Sequence, residues 1–265
     1  MISLEGLTGR VIPQGAPGYD EARQNYNGRF NKFPKVIVYC DAVQDVVNAI
    51  LWVRKHRLPF RIRCGGHSYE AFSLVDGGLV IDVSGLLALQ LNESDRTMRV
   101  GAGYRLLPLY ETLWNQRVTI PGGTCPTVGV SGLTLGGGYG LLSRLFGLTC
   151  DNLLELEMVT AQGEIIRASD NQHSDLLWAC RGGGDGSFGV ITEFTFRVHP
   201  IGNVSRYRMT WDFADLKKVV RYWQLWAPYT DDRLTSLLLL PAQNQGDLRS
   251  SGVFAGSEQE LRQIL

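Results

Sequence analysis

The 265-residue sequence predicts a mixed α+β fold, and three observations carry that prediction. Apolar residues recur at strand spacing in some segments and at helix spacing in others, with turn residues between them. Glycine makes up 31 of the 265 residues, where roughly 7% is usual, and 21 of the 31 fall in three stretches, Gly65–Gly85, Gly101–Gly147 and Gly182–Gly189. Val, Leu, Ile, Phe and Tyr interleave these stretches, unlike a flexible linker, so they read as ordered loops. The pattern then breaks at His199-Pro200-Ile201-Gly202 and a fresh β-α-β pattern begins.

Taken in order, Lys35 to Cys40 reads as a strand that meets Asp41, a good helix N-cap, with Gln44 as its capping-box partner. Val43, Val46, Val47, Ile50 and Leu51 then keep one apolar face of a helix that Leu58-Pro59 ends. Strands follow at Phe60 to Arg63, Leu79 to Val83 and Met98 to Ala102, and a helix at Leu106 to Asn115. Leu153 to Val159 and Glu164 to Ala168 form a hairpin turning at Gln162-Gly163. A short helix spans Asp175 to Arg181, and Val190 to Val198 alternates as a strand. Beyond the break come a strand at Arg206 to Trp211, a helix carrying Leu216, Val219, Val220, Trp223 and Trp226, and a strand at Leu237 to Leu240. Ser257 with Glu260 makes a second capping box only eight residues from Leu265, which reads either as an interrupted second domain or as a short docked helix.

Several function classes lose support. Lys and Arg together number 26, as do Asp and Glu, so no positive field invites nucleic acid or an anionic membrane. No apolar run is long enough for a signal peptide at the N-terminus or for a membrane span, so a soluble, unsecreted protein is expected. There is no GxxxxGK[ST] string. A GxGxxG string occurs at Gly184 to Gly189, but it follows a helix and precedes a strand, the reverse of a dinucleotide fingerprint. The five cysteines lack CxxC spacing, the four histidines lack HExxH pairing, and no metal is expected. Cys40, Cys150 and Cys180 read as small buried residues.

His67 and Cys125 differ, because each sits inside a glycine cluster. His67 lies in RCGGHSY (63–69), where paired glycines let main-chain N–H groups face an anion. Glycine at ordered positions points to an extended ligand approached closely by backbone, or else to tight turns alone. Taken singly, a loop histidine is an ordinary surface residue and a lone cysteine an ordinary packing residue.

Four motifs in order change that balance: RCGGHSY, GGTCPTVGVSGLTLGGGYGLLSR (122–144), GLTCDNL (147–153) and DLLWACRGGGDGSFGVITEF (175–194). Over roughly Phe30 to Pro200 the chain resembles flavoprotein oxidases of the berberine bridge enzyme type. These share the vanillyl-alcohol-oxidase FAD fold and include glucooligosaccharide and nicotine oxidases. The resemblance implies an α+β fold with a two-subdomain PCMH-type FAD-binding domain at residues 30–201. It also implies an N-terminal segment at 1–29 and, at 202–265, the start of an α+β substrate domain with an antiparallel sheet. It implies that Ile62, Arg63, Cys64, Gly65, Gly66, His67 and Ser68 wrap the FAD pyrophosphate, with Ser73 beside them. Gly129, Val130, Ser131, Gly132, Leu133 and Tyr139 would contact the cofactor, and Val190 would lie near the adenine. His67 matches the histidine bonded to the flavin 8-methyl carbon, and Cys125 the cysteine bonded to ring carbon 6, so a doubly linked flavin is expected. Asp185 departs from the family pattern, in which another glycine is frequent.

The implied reaction passes hydride from a small-molecule substrate, a sugar, alcohol or amine, to FAD, and dioxygen reoxidises the flavin to give hydrogen peroxide. The family's base is a tyrosine in a later segment with no match here, so no catalytic residue is named; Tyr69 either lines the site or packs beside it. A second reading stays open, a truncated or degenerate member that binds FAD, or folds around an empty cleft, without turnover.

Overall fold

The computed structural model describes residues 2–184, 186–242 and 245–265. Strands β1 (Arg10–Pro13), β2 (Val36–Tyr39), β3 (Phe60–Arg63) and β4 (Leu79–Asp82) form a first sheet in the order β1-β2-β4-β3. β2 and β3 both run parallel to β4, and the connection between β2 and β3 is the helix α2 (Val43–His56), which follows the short α1 (Tyr19–Ala22). Such parallel strands are covered on both faces and read as continuous apolar runs; VIVY and LVID do so.

A second, antiparallel sheet joins β5 (Leu89–Asn92), β6 (Thr97–Gly101), β8 (Leu153–Val159), β9 (Ile165–Ser169) and β10 (Val190–Arg197) in the order β5-β6-β10-β8-β9. Between β6 and β8 the chain passes through α3 (Leu106–Asn115), β7 (Val118–Thr119), α4 (Val130–Leu135) and α5 (Ser143–Phe146). Helix α6 (Ser174–Cys180) connects β9 to β10, and β11 (His199–Pro200) pairs with β7. One continuous core spans both sheets. Val46, Ala49, Ile50 and Val53 of α2 pack with Val36, Leu79 and Ile81 of the first sheet and with Leu156, Met158 and Phe194 of the second.

The third sheet stands apart, with its own small core of Tyr207, Leu234, Phe254 and Leu261. Its strands β12 (Ser205–Trp211) and β13 (Leu234–Leu239) both pair antiparallel with β14 (Leu248–Phe254), which lies between them. Helix α7 (Leu216–Trp226) connects β12 to β13, and α8 (Glu258–Ile264) closes the chain. Arg144 on α5 reaches across and donates to the carbonyl oxygens of Ala227, Thr230 and Leu234 at 2.7, 2.9 and 3.0 Å. No described helix is long and apolar enough to cross a membrane.

Two local expectations need correction. The N-cap of α2 is Ala42, not Asp41, and the capping carboxylate is Asp45, not Gln44. It accepts from the Asp41 and Ala42 N–H groups at 3.1 and 3.0 Å, whereas the Gln44 amide is engaged with Asn48. Leu51 is exposed, because the helical stripe continues from Ile50 to Val53 rather than from Val47 to Leu51. Strand β14 escapes the sequence pattern because Ser250, Ser251 and Gly252 lie within it. A Cβ at Gly252 would stand 2.4 Å from the Tyr207 ring, so the residues beneath that ring have to be small.

Candidate cofactor cleft

The turn after β3 starts from a buried ion pair. Arg63 and Asp82, side by side in register on β3 and β4, bond through Nε and Oδ2 at 2.5 Å, and Arg63 Nη1 also donates to the Ala22 carbonyl at 2.7 Å. That pairing directs the Arg63 side chain down into the fold while the next residues rise as the glycine loop. A Cβ on Gly65 would lie 2.4 Å from the Gly129 nitrogen, and one on Gly129 would lie 2.6 Å from the Gly65 nitrogen. These two glycines therefore let two loops touch. The neighbour they admit is backbone of this same chain, not the ligand that glycine clustering alone suggests.

The second loop, Ile120 to Gly140, is fastened from below. Tyr110 donates to the Gly123 carbonyl at 2.9 Å, Thr149 Oγ1 to Pro121 O at 2.8 Å, and Ser131 Oγ to Ala102 O. Where the loops meet, His67 Nε2 lies 2.8 Å from Thr127 Oγ1. Burial, and then the Arg105 guanidinium, hold the His67 imidazole below its ordinary pKa, so it is neutral at neutral pH. The two cysteines beside these loops differ. Cys64 is pushed up to about 12 by burial and then by Asp82, which keeps its thiol protonated, whereas Cys125 is exposed.

Between the two sheets these loops border a cleft of about 1010 Å³, large for a small-molecule site. Of the residues that the sequence nominates, Ile62, Cys64, Gly65, Gly66, His67, Ser68, Ser73, Gly129, Ser131, Gly132 and Leu133 line it. The rest stand elsewhere. The Arg63 side chain is committed to Asp82, and Val130 and Val190 are buried in the shared core, Val190 between the cleft-lining Gly189 and Ile191. Tyr69 and Tyr139 are exposed, as is Cys125, two residues from the Thr127 contact. Asp185 lies outside the described residues. Sequence reasoning assigned no role to Phe72, Val128, Gly186 and Ser187 on the walls, although Val128 lies in the motif at 122–144 and the last two in the motif at 175–194.

The cleft fits FAD on two observations. Ser73 Oγ is buried on its wall with no hydrogen-bond partner among the described residues, a polar atom left for a ligand to satisfy. Gly132 faces open space, with nothing within 4 Å of a Cβ built there, so a side chain at that point would occupy the cleft.

Comparison with known proteins agrees. A family profile described as "FAD binding domain" matches residues 34–169, more than half of the chain. The uncharacterized FAD-linked oxidoreductase YgaK of Bacillus subtilis is 45% identical over 98% of the chain and 58% of its own length. The structure of BBE-like 1 from Physcomitrella patens superposes with a TM-score of 0.91 at 38% identity, covering 96% of this chain and 56% of that one. A chitooligosaccharide oxidase superposes with a TM-score of 0.89 at 29% identity, covering 97% and 55%. The chain thus spans little more than half the length of these relatives. It belongs to the FAD binding domain family, among the FAD-linked oxidoreductases and berberine bridge enzyme-like proteins.

Proposed function

We propose that this chain holds FAD in the cleft by two covalent bonds, through His67 and Cys125, as the cofactor-binding part of an oxidase acting on a sugar, alcohol or amine. The observation that carries the reading is the junction of the two glycine loops, which sets the His67 imidazole on the cleft wall, hydrogen-bonded to a residue two positions from an exposed thiol. Residues 30–201 form the FAD-binding unit in this reading and residues 202–265 the beginning of a substrate-binding unit.

Bound FAD supplies the redox chemistry, accepting hydride from a substrate C–H and passing two electrons to dioxygen to give hydrogen peroxide. The chain's residues supply position. Gly132 leaves the cleft wall open and Ser73 offers one buried hydroxyl. The neutral His67 imidazole keeps a lone pair for bond formation, and the exposure of Cys125 gives its sulfur access to a ring edge. A saccharide substrate is favoured by the name of the chitooligosaccharide oxidase that shares the fold.

Acid denaturation of the purified, FAD-loaded chain tests the linkage. A yellow pellet is expected, with one link lost in Cys125→Ala and all colour lost in the His67→Ala, Cys125→Ala double variant; a colourless pellet from the parent overturns covalent binding. Hydrogen peroxide formed on adding saccharides and alcohols tests turnover, and its absence with a yellow protein leaves a flavin-binding role without oxidation.

A further inference from the structure

The segment before β2 does more than lead into the first sheet. Its backbone and side chains run along the loop that carries His67 and bond to three of its carbonyl groups. The Tyr26 N–H donates to Gly66 O at 2.9 Å, Asn25 Nδ2 to Ser68 O at 3.0 Å, and Asn27 Nδ2 to Tyr69 O at 2.6 Å. These acceptors lie on both sides of His67. The Tyr26 ring also stacks on the imidazole, with centroids 4.3 Å apart and planes 21° from parallel. From the other loop, Thr127 Oγ1 holds Nε2 at 2.8 Å. The backbone is thus tied on either side of the histidine, a stacked ring limits its rotation, and a hydroxyl selects one nitrogen.

We propose that Tyr26, with the Asn25 and Asn27 ties beside it, and Thr127 are positioning residues that fix the His67 imidazole for covalent attachment of the flavin. The proposal rests on the reading of His67 as a tether. A neutral imidazole has one N–H and one lone pair. When Nε2–H donates to Thr127 Oγ1, the lone pair is on Nδ1, the nitrogen with no partner among the described residues. Attachment breaks one C–H of the flavin 8-methyl group and the imidazole N–H and forms one N–C bond. The two electrons and two protons released reduce dioxygen to hydrogen peroxide. The alkylated ring has no N–H left, and its Nε2 lone pair then accepts from the Thr127 hydroxyl. A hydroxyl serves both stages because it accepts before attachment and donates after it. Valine can do neither, and serine can do both.

The test uses the Cys125→Ala chain, so that only the His67 bond is counted. Flavin-free protein is mixed with FAD, acid-stable flavin is followed with time, and reversible FAD binding is measured separately by quenching of flavin fluorescence. Tyr26→Ala and Thr127→Val are expected to slow attachment about 10- to 100-fold, the penalty of a misplaced reacting group, with FAD affinity unchanged. Tyr26→Phe keeps the stack and Thr127→Ser keeps the hydroxyl, so both restore the parent rate. Attachment at the parent rate in Tyr26→Ala and Thr127→Val overturns the proposal. So does a loss of affinity as large as the loss of rate, or failure of the conservative variants to restore it, since these residues would then only support the fold. Acid-stable flavin that persists in His67→Ala, or is absent from the parent, overturns the tether reading itself, a result separate from the first three.

Discussion

The two glycine-rich loops that meet at Thr127 are built differently. The Arg63–Tyr69 loop is short, rises from a buried ion pair and is tied by the Asn25–Asn27 segment, and its histidine already has a stacking partner and a hydrogen bond. The Ile120–Gly140 loop is long and fastened from beneath, and its cysteine is exposed, with no hydrogen bond from its thiol among the described residues. One candidate tether is therefore oriented before any cofactor arrives, while the other is only accessible. Preorganisation lowers the cost of reaching a reactive geometry, so on the proposal that both residues are tethers His67 is expected to form its bond without help from Cys125.

The largest break in that contrast comes from removing the foundation of the first loop. Asp82→Ala leaves the Arg63 guanidinium buried and unpaired, and a loss of about 3–5 kcal/mol is expected in denaturant unfolding. A loss below 1 kcal/mol would mean that the pair does not support the loop. Gly65→Ala forces a methyl against the Gly129 backbone and is expected to cost about 1–3 kcal/mol by overpacking. Gly132→Ala, by contrast, meets nothing and removes a glycine from α4, so it should stabilise the flavin-free chain by about 0.5–1 kcal/mol. The same methyl stands in the cleft, and weaker FAD binding by titration is the expected companion; unchanged affinity would place the cofactor elsewhere.

The smallest effect concerns pH. On the tether proposal the form of His67 that attaches is the neutral imidazole, and its pKa is lowered first by burial and then by Arg105. Attachment should therefore rise with pH through an inflection below the ordinary value of about 6.5. Arg105→Gln removes the cation that opposes protonation and should move that inflection upward, by less than burial moves it down. A profile that does not respond to Arg105→Gln would remove that guanidinium from the account.

Much of the body was legible because its packing follows local periodicity. The apolar runs of β2 and β4, the hairpin at Gln162-Gly163 and the Ser257–Glu260 capping box all satisfy rules confined to a few neighbouring residues. The misses arise from contacts distant in sequence. β14 carries Ser250 and Gly252 on one face because Tyr207, more than 40 positions earlier, lies over them. Asp45 caps α2 because it stands three residues beyond the true N-cap, while Gln44 is engaged with Asn48. At the site, the glycine pattern and the family motifs reached both candidate tethers. They did not reveal that Gly65 and Gly129 serve each other, nor that Tyr26 and Thr127 flank His67, since both facts depend on which loops become neighbours.

Helix α2 touches β4 of the first sheet and β8 of the second, and its buried face belongs to the core that both share. A wedge gripped on both sides sets the gap between the layers it separates. Val46, Ala49, Ile50 and Val53 therefore stand where a change of side-chain volume bears on the spacing of the two sheets, and none of the four lines the cleft. A substitution there would act on the cleft through the packing of the core, with no change to any cleft-lining side chain.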